Sequence, residues 1–580
     1  MTELSSRPLR TGSPKRRASE RFWDDIRCPG LSPALDEIVR LSAVLPKKWA
    51  VRAYKRARDR AWVLFVGGTG TGKSTLFNVL CGSALSDTGV ERPKTQGPIA
   101  FVHRDCALGE GFPFPEVQLR QASPEATDRL PLQGNPGQLF CVHHTEDRLV
   151  KIVLVDTPDV DSLEIRNRLI VEDLYLLADL VVFVTSEEKY ADDIPFQFLK
   201  RILAEDKRCT VVVNKSGALL QNEDVHASFA QQGVTLPAHR FWILPFAVGK
   251  PQDCLPGDPS FRAMLAQLLE DLDPSGVQDL LRHELSRAHR ELATETLRLV
   301  ELLGVEEAAG KQWLEHLDVF FRSSCRTLLD QQERHLTEEH REAIQREIRK
   351  LYSRYDLLGG PRRALAQLVR APLRALGLVG DSKSESHRES LLRIRERIDL
   401  GPIQATVDGF NRFVLEKLSP RTEMAPLYQR LRDPALALTQ DAVKEIVWEE
   451  QERLAGWLEA TFDELARGIP KSKEWGIYST SILWGGLILA LETAIGGGIT
   501  ILEAVLDSAI APFVTRGAVE LFVYHELQRI GKELGERYRA GLLAVLQKQR
   551  DRYADCLESL LTPESVLTQL RSMGRDAPAQ

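Results

Sequence analysis

The chain has 580 residues, of which 43% are hydrophobic and 27% are charged, and its formal net charge is −6. A single hydrophobic core rarely grows beyond ~250–300 residues, so this length predicts about two to four domains. The nearly balanced charge gives no reason to expect a nucleic-acid partner. The eight cysteines are scattered without a C-x-x-C pair, which argues against a zinc site or a disulfide framework.

The N-terminal part of the chain is basic. Residues 1–20 lack apolar periodicity, and we expect a basic disordered tail over residues 1–30. They contain no hydrophobic core of a signal peptide, which predicts a cytoplasmic globular part. Residues 31–60 read as one or two basic helices, broken at Pro46 because proline removes a helical hydrogen bond.

Residues 61–252 alternate apolar runs with helical stretches, which predicts an α/β domain with a mainly parallel sheet and helices on both faces. Strands are predicted at Trp62–Val66, Gln138–His144, Leu149–Val155, Leu180–Thr185, Cys209–Val213 and Phe241–Phe246. The second and third runs are joined only by Thr145–Arg148, so we expect an antiparallel hairpin at the sheet edge. The acidic run Glu187–Asp193 is typical of the start of a helix.

The most informative motif is Gly67–Ser74, which reads GGTGTGKS and directly follows the first predicted strand. Its spacing fits G-x-x-x-x-G-K-[ST], the phosphate-binding loop between a strand and a helix. Glycines let backbone N–H groups approach a triphosphate, and the helix N-terminus adds partial positive charge. We expect Lys73 to reach the β- and γ-phosphates and Ser74 to bind Mg²⁺. The predicted nucleotide-binding residues of this motif are Gly67, Gly68, Thr69, Gly70, Thr71, Gly72, Lys73, Ser74 and Thr75.

Two further segments carry groups that suit a nucleotide site. Asp156 ends a predicted strand, where a carboxylate can hold Mg²⁺; the alternative is a helix cap. Thr95 lies in a loop between the phosphate-loop motif and Asp156. It is a candidate Mg²⁺ ligand and, together with Lys73, a candidate catalytic residue. The alternative is an ordinary loop threonine. Asn214 and Lys215 follow a later strand and are candidate nucleotide-binding residues.

In this order the motifs resemble those of a translation-factor-type GTPase, and the chain departs from that pattern at three positions. Asp159 replaces the glycine that meets the γ-phosphate, and Val160 replaces the glutamine that orients water in Ras-like proteins. Gly217 replaces the aspartate of [NT]-K-x-D, which accepts hydrogen bonds from guanine. Preference for guanine is therefore implied only by the resemblance.

Beyond residue 255 the strand patterns stop and leucines recur at helical spacing, as in Val277–Leu303, Leu336–Tyr355 and Ala518–Leu560. Such long helices bury their apolar stripe in an antiparallel bundle or a coiled-coil dimer.

A hydrophobic segment, Gly476–Thr515, interrupts this helical region. Its glycines at 496–498 suit a turn, which predicts a helical hairpin that dips into or spans a bilayer. Glu492, Glu503 and Asp507 favour the alternative, a hairpin buried in the bundle, because each carboxylate in hydrocarbon costs on the order of 2.5–3.5 kcal/mol.

The complete layout resembles a bacterial dynamin-like large GTPase, on the motifs Gly67–Thr75, Thr95, Asp156–Pro158 and Asn214–Lys215. The expected domains are a tail (1–30), N-terminal helices (31–60), a P-loop GTPase domain (61–252), a helical domain (253–475), the hydrophobic hairpin (476–515) and a returning helix (516–580). The resemblance implies Mg²⁺-dependent GTP hydrolysis coupled to self-association, as a homodimer or larger oligomer, and to remodelling at the cytoplasmic face of a membrane. The alternatives are a soluble, Era-like, ribosome-associated GTPase and a hydrolysis-deficient nucleotide-binding scaffold.

Overall fold

The computed structural model describes residues 7–8, 18–87, 97–121, 134–162, 164–188, 193–217, 222–231, 233–234, 238–246, 254–335, 400–468 and 518–575. The chain forms two compact units. The first comprises Met1–Ile26, Asp36–Leu303 and Thr562–Gln580, and the second comprises Arg27–Leu35 and Gly304–Leu561.

The first unit is built on one sheet with the strand order β1-β4-β5-β3-β6-β2-β7-β8-β9. Its strands are β1 (Arg7–Pro8), β2 (Ala61–Val66), β3 (Ile99–His103), β4 (Gln118–Gln121), β5 (Gln138–His144), β6 (Ile152–Asp156), β7 (Leu180–Ser186), β8 (Arg208–Ser216) and β9 (Phe241–Pro245). All neighbours are parallel except the pairs β1/β4 and β3/β6. The predicted mainly parallel sheet is confirmed.

Helices cover both faces of this sheet, because the strands are apolar on both sides. Trp62, Leu64 and Val66 of β2 enter one buried cluster, whereas Val63 and Phe65 enter the other. This split follows from the two-residue period of a strand. The helices of the unit are α1 (Leu35–Arg56), α2 (Lys73–Cys81), α3 (Ile165–Leu177), α4 (Asp193–Ala204), α5 (Asn222–Gln231), α6 (Pro259–Asp271), the first part of α7 (Pro274–His335) and, after the second unit, α12 (Glu564–Arg575).

The predicted hairpin of Gln138–His144 with Leu149–Val155 is wrong. Strand β3, which the sequence patterns did not single out, lies between β5 and β6 and pairs parallel to the first and antiparallel to the second. All five residues of β3 are buried, and β3 pairs the backbone edges of both β5 and β6. The β5–β6 connection contains a 3₁₀ turn at Asp147–Leu149 and is not a tight hairpin turn.

The predicted break at Pro46 is also wrong, because α1 continues through this residue. Leu41 and Leu45 are buried beside it, and their packing offsets the lost hydrogen bond. Near the end of the helix, the ammonium of Lys55 binds the fully buried carboxylate of Asp179. Asp179 also accepts the backbone N–H of Trp62 at 2.8 Å, so it ties α1 to the start of β2.

The second unit is helical. Its elements are the later part of α7, α8 (Gly401–Phe413) with a π-helical turn (Val414–Leu418), α9 (Pro426–Leu431), a 3₁₀ turn (Pro434–Leu436), α10 (Gln440–Gly468) and α11 (Ala518–Glu558). One buried cluster contains Leu317, Val407, Phe410, Val443 and Leu546. The predicted change from an α/β domain to long helices is confirmed.

A buried glutamate anchors the short N-terminal segment of this unit. Glu306 is 1% exposed, and its carboxylate accepts the backbone N–H groups of Gly30, Leu31 and Ser32 at 3.1, 3.0 and 2.7 Å. Gly30 has φ +79°, and a Cβ there would lie 2.7 Å from the Cβ of Ala425. Glycine is therefore required at this turn.

The hydrophobic segment 476–515, the helix predicted at 336–355 and Thr95 lie outside the described residues. Within the ranges given above, every helix is too short or too polar to cross a bilayer.

Candidate functional site

The candidate site lies at the carboxyl edge of the four adjacent parallel strands β6, β2, β7 and β8. Phe65 pairs with Asp156, Val66 with Phe183 and Ser186 with Asn214, so the carboxyl ends of these strands lie at the same edge of the sheet. Loops that follow parallel strands meet at this edge, where open α/β sheets bind ligands. The predicted motifs are thereby brought together.

The phosphate loop runs from Gly67 to the start of α2 at Lys73. Gly72, which precedes the helix, has φ 93°, and a Cβ there would lie 2.2 Å from Nδ2 of Asn214. A Cβ on Gly67 would lie 1.9 Å from the carbonyl oxygen of Val184. Both glycines are needed for close packing of the loop backbone against neighbouring groups.

Two carboxylates from the loop after β6 bind the phosphate loop. The Lys73 ammonium binds the carboxylate of Asp159 and donates to the carbonyl oxygen of Gly68 at 3.1 Å. The backbone N–H and hydroxyl of Thr69 donate to Oδ1 of Asp161 at 3.0 and 2.8 Å. In this structure, carboxylate oxygens therefore accept hydrogen bonds from phosphate-loop groups that are suited to donate to phosphate oxygens.

Asp156 is fully buried below the loop. Its Oδ2 accepts the hydroxyl of Ser86 at 2.7 Å, and it is also hydrogen-bonded to Ser74. Burial raises the pKa of Asp156 to about 6, against the opposing effects of these two hydroxyls and of the Lys73 charge. Its Oδ1 has no hydrogen-bond partner. A buried carboxylate oxygen without a partner beside a hydroxyl is a donor set that fits Mg²⁺ or its bound water.

The 214–215 pair holds the phosphate loop from the other side. Nδ2 of Asn214 donates to the carbonyl oxygen of Thr71 at 3.0 Å, and Nζ of Lys215 donates to that of Gly70 at 2.7 Å. Lys215 has φ +59°, a rare conformation for a side chain other than glycine, which turns it toward the loop. Strain of this kind is typical of functional sites.

Residues 62–215 match the protein-family model described as 50S ribosome-binding GTPase. This stretch holds the phosphate loop, Asp156 and the 214–215 pair in the order that the motifs predicted. The matched segment is a P-loop GTPase domain. The predicted fold class of this part of the chain is confirmed.

One curated protein and two solved structures are also similar to this chain. An uncharacterized protein in the xynA 3′ region of Caldicellulosiruptor sp. (strain Rt8B.4) is 29% identical over 195 residues. The match covers 30% of this chain and 46% of that protein, so the chain spans about half the length of this curated relative. Two solved structures concern an oligomerised bacterial dynamin pair, described as a mechanism for long-range sensing and tethering of membranes. They are 12% and 14% identical, with TM-scores of 0.35 and 0.36, and each comparison covers 97% of this chain and 94% of the other.

Four residues of the GTPase domain that bind the motifs were not predicted as site residues: Ser86, Asp159, Asp161 and Glu187. Asp159 was noted only as a departure from the family pattern. Ser86 is positioned by Asn78 of α2, whose side chain bonds both its N–H and its carbonyl oxygen at 2.8 and 2.7 Å. Glu187 belongs to the acidic run predicted to start a helix, and α4 is Asp193–Ala204. Its partner is the backbone N–H of Gly217.

Proposed function

We propose that this chain binds and hydrolyses GTP with Mg²⁺ and couples the reaction to self-association and membrane binding, as a dynamin-like GTPase. The observation that carries the enzymatic part is the buried, partner-free Oδ1 of Asp156 next to Ser74 and below the phosphate loop. A purely structural aspartate has little reason to keep such an oxygen, since an unpaired buried polar atom costs about 1–3 kcal/mol.

Each site residue has a distinct role in this proposal. Lys73 binds the β- and γ-phosphates beside Asp159, while the loop N–H groups bind phosphate oxygens. Asp156, Ser74 and Thr95 would hold Mg²⁺, which would neutralise negative charge on the phosphates. Asn214 and Lys215 keep the loop in its binding shape through the carbonyl oxygens of Thr71 and Gly70.

Hydrolysis also requires a positioned water. Val160 has no hydrogen-bonding side chain, and its backbone N–H donates to the carbonyl oxygen of Gly67 at 3.3 Å. We therefore propose that the backbone of Thr95 or a residue of a partner subunit orients the attacking water.

Calorimetry of Lys73→Ala with GTP and Mg²⁺ tests the nucleotide site. We expect binding to be lost, because Lys73 is the cation of the phosphate loop. Ser83→Ala is a suitable control, since this exposed residue lies just beyond α2 in the same unit. Unchanged binding by a folded Lys73→Ala protein would contradict the assignment.

The membrane part of the proposal rests on the sequence of 476–515, which has an uncharged first half at Gly476–Leu491. Full-length protein and a variant lacking 476–515 are compared by co-sedimentation with anionic liposomes, with and without GTP. We expect binding only with the segment present, as proposed for a protein at the cytoplasmic face of a membrane. Equal sedimentation of two folded variants would contradict it.

A ribosome-associated GTPase is a second candidate, favoured by the description of the matched family as 50S ribosome-binding. Co-sedimentation with 50S subunits, with salt-stripped subunits and GDP as controls, distinguishes it from membrane binding. A third candidate is a nucleotide-binding scaffold without turnover, favoured by the carboxylate of Asp159 on Lys73. Tight GTP binding without phosphate release in single-turnover measurements supports this third reading.

A further inference from the structure

The base-reading motif of this chain lacks its carboxylate, but a carboxylate is present at the same place. The fourth position of Asn214–Gly217 is glycine. Oε2 of Glu187 accepts the backbone N–H of Gly217 at 2.6 Å. Glu187 directly follows Ser186, the last residue of β7, which pairs with Asn214 of β8. The neighbouring strand therefore delivers an acidic group to the position that the motif leaves without one.

The space around Gly217 fits this arrangement. A Cβ added to Gly217 would lie 3.4 Å from Oε2 of Glu187, an ordinary van der Waals contact, so position 217 has room for a Cβ beside that carboxylate. Gly217 is exposed and Glu187 is half-buried, so a ligand can reach both. Lys215, two residues earlier, extends to the phosphate loop at Gly70, which places the pair beside the expected nucleotide.

We infer that Glu187 is the residue that reads the guanine base, in place of an aspartate at position 217. The inference rests on the proposed GTP-binding function. Guanine presents two adjacent donors, N1–H and the 2-amino group, and a carboxylate offers about four acceptor sites on two oxygens. The Gly217 N–H uses one of them and fixes the orientation of the group. The extra methylene of glutamate compensates for its origin on the neighbouring strand.

The same chemistry excludes adenine. Adenine presents an acceptor nitrogen at N1 and no amino group at C2, so a carboxylate there meets a lone pair instead of a donor. If the Glu187–Gly217 bond only tied two loops together, the protein would show no dependence of base preference on residue 187.

The test uses the full chain in competition binding against a fluorescent guanine nucleotide, with GTP, ITP, XTP and ATP as competitors. The wild type should prefer GTP over ATP, and over ITP, which lacks the 2-amino group, by at least about tenfold. Glu187→Gln should weaken GTP binding by on the order of 10- to 100-fold, as expected for the loss of hydrogen bonds to a charged group. The same substitution should strengthen XTP binding, because the glutamine amide donates a hydrogen bond to the 2-oxo group of xanthine.

Two further variants separate base reading from a fault in folding. Glu188→Gln changes the adjacent exposed residue and should leave all four affinities unchanged. Gly217→Asp combined with Glu187→Gln restores a carboxylate and should restore the preference for GTP over XTP.

The outcomes separate this inference from the proposed function. If the wild type binds GTP and Glu187→Gln has the same ratio of GTP to XTP affinity as the wild type, the role of Glu187 is refuted. The GTPase assignment is then unaffected. A wild type that binds GTP and ATP equally well also overturns the role of Glu187. Absence of any purine-nucleotide binding by the wild type refutes the proposed function itself, and the inference falls with it.

Discussion

Replacing Asp159 with asparagine removes the carboxylate that binds Lys73 in this structure. A γ-phosphate bound to the same ammonium would lie within ~4–5 Å of that carboxylate, since each group makes one hydrogen bond to it. Two unit charges ~4 Å apart repel by about 1 kcal/mol in water and by about 4 kcal/mol at an effective dielectric constant of about 20. Asp159 is 20% exposed, which places the repulsion between these limits. Asp159→Asn should therefore tighten GTP binding by about 1.4–2.8 kcal/mol, or about 10- to 100-fold.

The assay compares the affinities of a non-hydrolysable GTP analogue and of GDP by calorimetry. GDP lacks the γ-phosphate, so its affinity should change less and the triphosphate-to-diphosphate ratio should rise. Asp159→Glu keeps the charge and is the matched control. An Asp159→Asn protein that folds normally but shows an unchanged or lower ratio would refute the idea that this carboxylate competes with the γ-phosphate.

Three further predictions concern stability, each measured by urea unfolding. Lys55→Met should lower the free energy of unfolding by about 3–5 kcal/mol, because it leaves the buried Asp179 charge without its partner. The control for this first prediction is Lys311→Met, which removes an exposed ion pair and should change the free energy of unfolding by less than about 0.5 kcal/mol. Glu306→Gln should cost about 1–3 kcal/mol, since the amide keeps one oxygen for three backbone donors, and no loss would contradict the anchoring role. Burial lowers the pKa of Lys207 to about 8, so between about pH 8 and pH 10.5 the unfolded chain binds the extra proton. Wild-type stability relative to Lys207→Met should therefore rise with pH in this window, by at most about 1.4 kcal/mol per pH unit; a flat difference would refute it.

Local sequence patterns were sufficient for much of the GTPase domain. The strand predicted at Gln138–His144 has the bounds of β5, and the strand before Gly67 is β2 apart from one residue. Their continuous apolar runs and flanking turns are short-range signals, which do not depend on the partner strand. The spacing of GGTGTGKS likewise determines a strand–loop–helix unit by itself.

The pairing of strands was decided by tertiary structure. The closeness of Gln138–His144 and Ile152–Asp156 along the chain favoured a hairpin, yet β3 is inserted between them. Continuous apolar runs indicate that a strand is buried on both faces, but they carry no information about which strand lies at each edge. That choice depends on the total apolar surface that each arrangement covers.

The chemistry of the site divides in the same way. The identity of Lys73, Ser74 and Asp156 as nucleotide-site candidates follows from motif spacing, because each motif is contiguous in the chain. The bonds from Asp159 to Lys73, from Ser86 to Asp156 and from Glu187 to Gly217 join residues 86, 70 and 30 positions apart. These side chains come close together only in the folded sheet, because it brings the ends of parallel strands to one edge.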